Sequence, residues 1–154
     1  MSSVTIADTC YLLGGRDAYN DDVATVLCAS VTSLIQKATS PTHQSARHTS
    51  VWKTLPDTPM LCSAAVSLSG HLLTVGGNGK VLFVNRASPA VHIFLQSPFA
   101  NSWVRVTHGD LPQPRYSCAA VQLSSNTMIV IGGRDDSLFN IHMDKAVFMG
   151  TITV

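Results

Sequence analysis

The chain has 154 residues, 45% of them apolar and 12% charged, with a net charge of about +1. That balance supports a buried core and excludes a disordered tail. No basic block is present to track a nucleic-acid backbone, and no run approaches the roughly 20 apolar residues of a membrane helix.

The opening, Met1-Ser2-Ser3-Val4-Thr5-Ile6, lacks the basic start and apolar stretch of a signal peptide. Cys10, Cys28, Cys62 and Cys118 are widely spaced, with no pair two residues apart that would suit zinc or redox chemistry. Each sits in an apolar, strand-like context where cysteine acts as a small hydrophobe. Reduced cysteines and a cytoplasmic location are therefore expected.

Along the chain, the first apolar segment starts near Ser3 and continues through Val4 and Ile6 to Tyr11-Leu12-Leu13-Gly14-Gly15. The same ending recurs as Leu73-Thr74-Val75-Gly76-Gly77 and Val130-Ile131-Gly132-Gly133, with first glycines 62 and 56 residues apart. Self-similarity at this period marks a repeat architecture, in which each unit shelters its apolar face against a neighbour. The stretches 59–68 and 114–123 align residue for residue, both led by a proline, and Val4 and Ile6 align over Val66 and Leu68. Each is followed by a short polar turn and the strand that ends in two glycines, which reads as a hairpin.

Between Gly15 and the next strand, at Val51-Trp52-Lys53-Thr54-Leu55, lies a polar inserted loop at 36–50, rich in Ser and Thr. In the second unit the chain runs through Val91-His92-Ile93-Phe94-Leu95, turns, and re-enters a strand at Trp103-Val104-Arg105-Val106. Helical periodicity over ten or more positions is absent, so the expected class is all-β.

These features resemble the kelch repeat: a strand ending in two glycines, an aromatic in the third strand (Phe94) and a tryptophan in the fourth (Trp52, Trp103), over about 50 residues. The resemblance implies a partial kelch-type β-propeller of about three four-stranded antiparallel blades with the ring not closed. The repeats fall at about 1–56, 57–107 and 108–154 in a single domain, the first and last incomplete. Three blades leave bare edges and an exposed inter-blade face. The expected partners of that face are the missing blades of a larger propeller, or, as the second reading, other copies of the chain.

Gly14, Gly15, Gly76, Gly77, Gly132 and Gly133 are read as structural. The run Gly76-Gly77-Asn78-Gly79-Lys80 lacks the spacing, the Ser or Thr after the lysine, and the following helix of a phosphate loop. Trp52, Trp103 and Phe94 are read as packing residues. The six histidines, His43, His48, His71, His92, His108 and His142, form no metal-ligand spacing, and neither a nucleophile elbow nor a carboxylate pair stands out. No cofactor, metal or catalytic residue is expected.

Two groups are candidate contacts for a protein or peptide. Arg16-Asp17 and Arg134-Asp135-Asp136 follow the glycines at equivalent places, either as local turn pairs or as a charged rim. Arg115 and Tyr116 lie in the loop entering a first strand, where the kelch resemblance implies ligand contact; the alternative for Arg115 is a bond to a neighbouring blade. The expected function is a protein-interaction module without catalysis. The other readings are a metal-dependent kelch-like enzyme fragment, for which Tyr11, Tyr19 and Tyr116 show no ligand pattern, and a truncated fragment without independent function.

Overall fold

The computed structural model describes residues 1–39, 51–81, 84–135 and 146–151. It is all-β, built from successive antiparallel sheets, none closed on itself. The first sheet contains β1 (Ser2–Ile6), β2 (Thr9–Arg16), β3 (Asp22–Ser30) and β4 (Lys53–Leu55), each paired with the next. After it come β5 (Ala64–Leu68), β6 (His71–Val75) and a small hairpin of β7 (Asn78–Val81) and β8 (Val84–Ala87). The middle sheet joins β5 and β6 to β9 (Val91–Leu95) and β10 (Ser102–Arg105). The last sheet is β11 (Ala119–Gln122), β12 (Thr127–Ile131) and β13 (Val147–Thr151).

The aligned segments occupy one register. Ser2 pairs with Leu13, Ala64 with Val75 and Ala119 with Ile131, each partner being the residue immediately before a glycine pair. Val4, Val66 and Val121 therefore hold equivalent places, as the sequence alignment requires.

That register determines the packing, because alternate side chains of a strand point to opposite faces. On the first sheet, Val4, Tyr11, Leu13, Val26 and Cys28 form one face, and Ala65, Leu72, Phe94 and Trp103 of the middle sheet cover it. On the middle sheet the equivalent face, Val66, Leu73, Val75, Val91 and Ile93, is covered by Ala120, Met128, Val130 and Phe148 of the last. The covering residues are equivalent too: Ala65 matches Ala120 and Leu72 matches Met128. The first strands of the sheets lie near one another, β5 touching both β1 and β11. Burial at about 25 cal/mol per Å² of apolar surface makes these two interfaces the main stabilising term.

Two local features depart from the sequence reading. A helix, α1 (Val31–Thr39), occupies the start of the segment read as an inserted polar loop at 36–50; residues 40–50 lie outside the described residues. Its nine residues fall short of a ten-residue periodic window, although Val31, Leu34 and Ile35 keep helical spacing. It is held at its start from outside. The Ser30 hydroxyl accepts from the Ser33 amide (3.2 Å), while Asp8 accepts from the Thr32 amide (3.0 Å) and hydroxyl (2.8 Å). A bond from the Ser30 hydroxyl, and then the two from Thr32, hold the Asp8 carboxyl below its usual pKa. The second departure is β7–β8, which turns the glycine-rich run after Gly77 into an extra hairpin. Leu82 and Phe83, between the two strands, lie outside the described residues.

The covering face of the middle sheet holds one polar defect. Thr74 and His92 are cross-strand partners, 1% and 8% exposed, and Thr74 Oγ1 and His92 Nδ1 have no hydrogen-bond partner among the described residues. Their equivalents in the last sheet are Val130 and Phe148. Leaving a buried hydroxyl unsatisfied costs about 1–3 kcal/mol, so Thr74→Val is expected to raise stability by about 1 kcal/mol in urea denaturation.

Burial, and secondarily the Arg105 charge, lowers the His92 pKa from the ordinary 6.5, against a smaller upward pull from Asp110. The unfolded chain then binds more protons than the folded one, so stability rises with pH across the interval between the two pKa values. Stability is expected to fall as pH drops below about 6.5, and His92→Phe is expected to flatten that slope.

Candidate binding face at the double-glycine ends

Each second strand, β2, β6 and β12, runs to a glycine pair with positive φ: 63° and 129° at Gly14 and Gly15, 65° and 108° at Gly76 and Gly77, 65° and 95° at Gly132 and Gly133. A side chain at Gly76 would drive its Cβ into the carbonyl oxygen of Arg115, and one at Gly77 would come within 2.7 Å of the Leu61 carbonyl oxygen. The pairs let neighbouring loops cross at contact distance. Among these crossings, the Gly77 amide donates to the Arg115 carbonyl (2.7 Å), the Arg115 amide to the Ser88 carbonyl (3.2 Å), and the Ser117 amide to the Cys62 carbonyl (2.9 Å).

Two residues past each first glycine stand Arg16, Asn78 and Arg134. Asn78 exchanges both backbone bonds with Leu61, and Arg134 does so with Tyr116, the residue aligned with Leu61. The second and third units therefore repeat one construction at this end, with the Asn78 side chain buried and that of Arg134 exposed. Arg16 is exposed and forms an ion pair with Asp22 (3.1 Å), its terminal nitrogen also donating to Asn20 (3.0 Å). Asp17 Oδ1 accepts from the Tyr19 (2.9 Å) and Asp21 (3.0 Å) amides, which makes it a turn former. Arg134 is exposed, Tyr116 and Asp135 are half-buried, and Asp136 lies outside the described residues. Beside Asp22, burial pushes the Cys62 thiol up, and the neighbouring carboxylate adds to the rise. A thiol so placed is a poor nucleophile.

Arg115 corrects the sequence expectation. It is fully buried, 0% exposed, with its guanidinium donating to Gln113 Oε1 (2.8 Å) and the Gly132 carbonyl (3.5 Å), and lying 4.8 Å from the centre of the Phe148 ring. An enclosed guanidinium held this way joins the middle sheet's exit to the last sheet and is not presented to a partner. Gln113, Gly132 and Phe148 all lie in Arg115's own repeat, 108–154, and they offer an amide, a carbonyl and a ring in place of a neighbouring blade's carboxylate.

The aromatic residues pack between units. Phe94 and Trp103 meet at a centroid distance of 5.0 Å, and the indole donates to the Pro56 carbonyl (3.0 Å) just past β4 of the first sheet. Trp52 is half-buried, immediately before β4. At the opposite end of the first two sheets a cleft is lined by Tyr11, His71, Phe94 and Gln96, where burial pushes the Tyr11 hydroxyl up. Its lining holds two ionisable rings, Tyr11 and His71, and no carboxylate, lysine or arginine. Among the described residues no three His, Cys, Asp or Glu side chains are placed to hold a metal ion; His43, His48 and His142 lie outside them. No helix among the described residues is long and apolar enough to cross a membrane.

No protein-family model and no curated protein matches this chain. Among solved structures it is similar to one described as the structure of YjhT, with a TM-score of 0.63 and 14% identity. The match covers 97% of this chain and 44% of that one, so the chain spans less than half the length of the structure it resembles. At that identity the likeness concerns the fold alone.

Proposed function

We propose that the chain is a segment of a kelch-type β-propeller that acts as a protein-interaction module in the cytoplasm, gripping a peptide or protein through its double-glycine loops without catalysis. The observation that carries this reading is the threefold repetition at one end of the sheets. Equivalent glycine pairs lead into Arg16 and Arg134, exposed on the first and third units, and into Asn78, buried on the second, while the backbones of Asn78 and Arg134 are tied down to Leu61 and Tyr116. Loops set on a rigid scaffold are where binding residues collect. Exposed Arg134 beside half-buried Tyr116, with exposed Arg16 at the equivalent place of the first unit, favours an acidic or aromatic peptide, because a guanidinium fork pairs with carboxylates and Tyr gives a stiff contact surface.

The test is selection of displayed peptides on the purified chain, followed by affinity measurement for the charge reversals Arg134→Glu and Arg16→Glu. Selected peptides are expected to be acidic, and the double variant to bind them at least about tenfold more weakly. Equal affinity for both proteins would remove the rim from the proposal.

A further inference from the structure

The packing rule seen twice inside the molecule is left unfulfilled once. The face Val4, Tyr11, Leu13, Val26 and Cys28 is covered, and so is its equivalent on the middle sheet. On the last sheet the equivalent residues are Val121, Ile129, Ile131, Val147 and Met149, set in the cross-strand rows Val121–Ile129–Met149 and Ala119–Ile131–Val147. Val121 is 55% exposed, Ile131 46%, Val147 60% and Met149 71%; Leu123, at the place of the buried Leu68, is 61% exposed. Five of the eleven exposed large apolar residues among the described residues gather on this one face, whereas scattered single ones are the ordinary case.

What covers such a face is defined by the two covered examples: the reverse face of another sheet of the same repeat. The first sheet has such a reverse face. Ser3, Cys10, Leu12 and Leu27 hold the places that Ala65, Leu72, Thr74 and His92 hold on the middle sheet, by the same register. The sizes follow the same order from small at the first strand to larger further out. Ser3 is exposed and the other three are half-buried.

We propose that the bare face of the last sheet docks the reverse face of the first sheet of a second copy of this chain. The contact is head to tail, so two copies close on each other through two such interfaces. The span of the chain fits that closure: one copy matches 44% of the solved structure it resembles, and two come close to filling it. The docking is independent of what the loops grip, since it uses sheet faces and not the glycine ends.

Light scattering coupled to size exclusion, repeated over a wide concentration range, tests this. The wild-type chain is expected to run as a dimer that dissociates on dilution. Met149→Arg on the bare face and Ser3→Arg on the reverse face each place a charge in the dry contact, and each is expected to weaken dimerisation at least about tenfold. Circular dichroism matching the wild type shows that these substitutions leave the fold intact. Mixing the two variants pairs the intact first sheet of Met149→Arg with the intact last sheet of Ser3→Arg and gathers both charges in the other contact, so a one-to-one heterodimer tighter than either variant's own dimer is expected, joined through that one interface. A wild-type chain that stays monomeric throughout would overturn the proposal. So would a dimer unaffected by both substitutions, or a mixture that fails to recover. Loss of peptide binding by the rim variants moves none of these readouts.

Discussion

Gly76→Ala is expected to destabilise the protein by about 3–5 kcal/mol, while Gly70→Ala costs only about 1 kcal/mol. Both glycines have positive φ, 65° and 77°, so the backbone penalty for an L side chain is similar in the two. The difference is what the new methyl meets. At Gly70 nothing lies within 4 Å, whereas at Gly76 the methyl overlaps the Arg115 carbonyl oxygen. That oxygen cannot retreat without losing its bond from the Gly77 amide (2.7 Å), and the Arg115 amide is itself bonded to Ser88. Gly14 should fall between, its added methyl lying 3.1 Å from the Val23 carbonyl oxygen. Urea denaturation of the three alanine variants gives the ranking. Equal losses at Gly76 and Gly70 would mean that the loops do not cross there.

Arg115→Ala is the second large effect, expected at about 3 kcal/mol or more. The substitution empties the space under the last sheet, removes the stacking on Phe148 and strips Gln113 and the Gly132 carbonyl of a donor. Arg115→Met keeps most of the apolar stem and should recover part of the loss, since the stem packs independently of the charge. Midpoints of denaturation, with the slope unchanged, distinguish these cases. A loss below about 0.5 kcal/mol, the size of an ordinary surface substitution, would show that the residue is not enclosed as described.

The repeat itself was legible because glycine pairs pin the register. Once Leu13, Val75 and Ile131 are recognised as equivalent, the pairing of Ser2, Ala64 and Ala119 follows, and with it which residues face which neighbour. The places of Phe94 in the third strand and Trp103 in the fourth were readable from their order along the unit. Strand β3, by contrast, left little trace. Its run Asp22-Val23-Ala24-Thr25-Val26-Leu27-Cys28-Ala29-Ser30 is half-buried on both sides and shows no clean alternation. Helix α1 was too short to carry a period and depends on Ser30 and on Asp8, the latter more than twenty residues upstream.

The direction of Arg115 was the main misreading at the candidate site. A proline-led loop with an arginine suggests a surface grip, but the ring that receives this arginine lies 33 residues further on, at Phe148. The available signal was the apolar Met60 at the aligned place. Its side chain packs against the backbone at Gly77 and Gly79, marking the position as inward-facing. For Asp17 the sequence left a turn pair and a charged rim open, and its carboxylate accepts the Tyr19 and Asp21 amides, bonds that no spacing in the repeat announces.

Stacking of successive sheets through equivalent faces underlies every conclusion about the molecule. Methyl-directed nuclear Overhauser spectroscopy reads that stacking directly. Cross-peaks are expected between Leu13 and Leu72 across the first interface, and between Leu73 and Val130 across the second. Within one molecule, Ile131 methyls should show none to the middle sheet. Cross-peaks from Ile131 to Leu73, or silence between Leu13 and Leu72 in a folded sample, would contradict the arrangement.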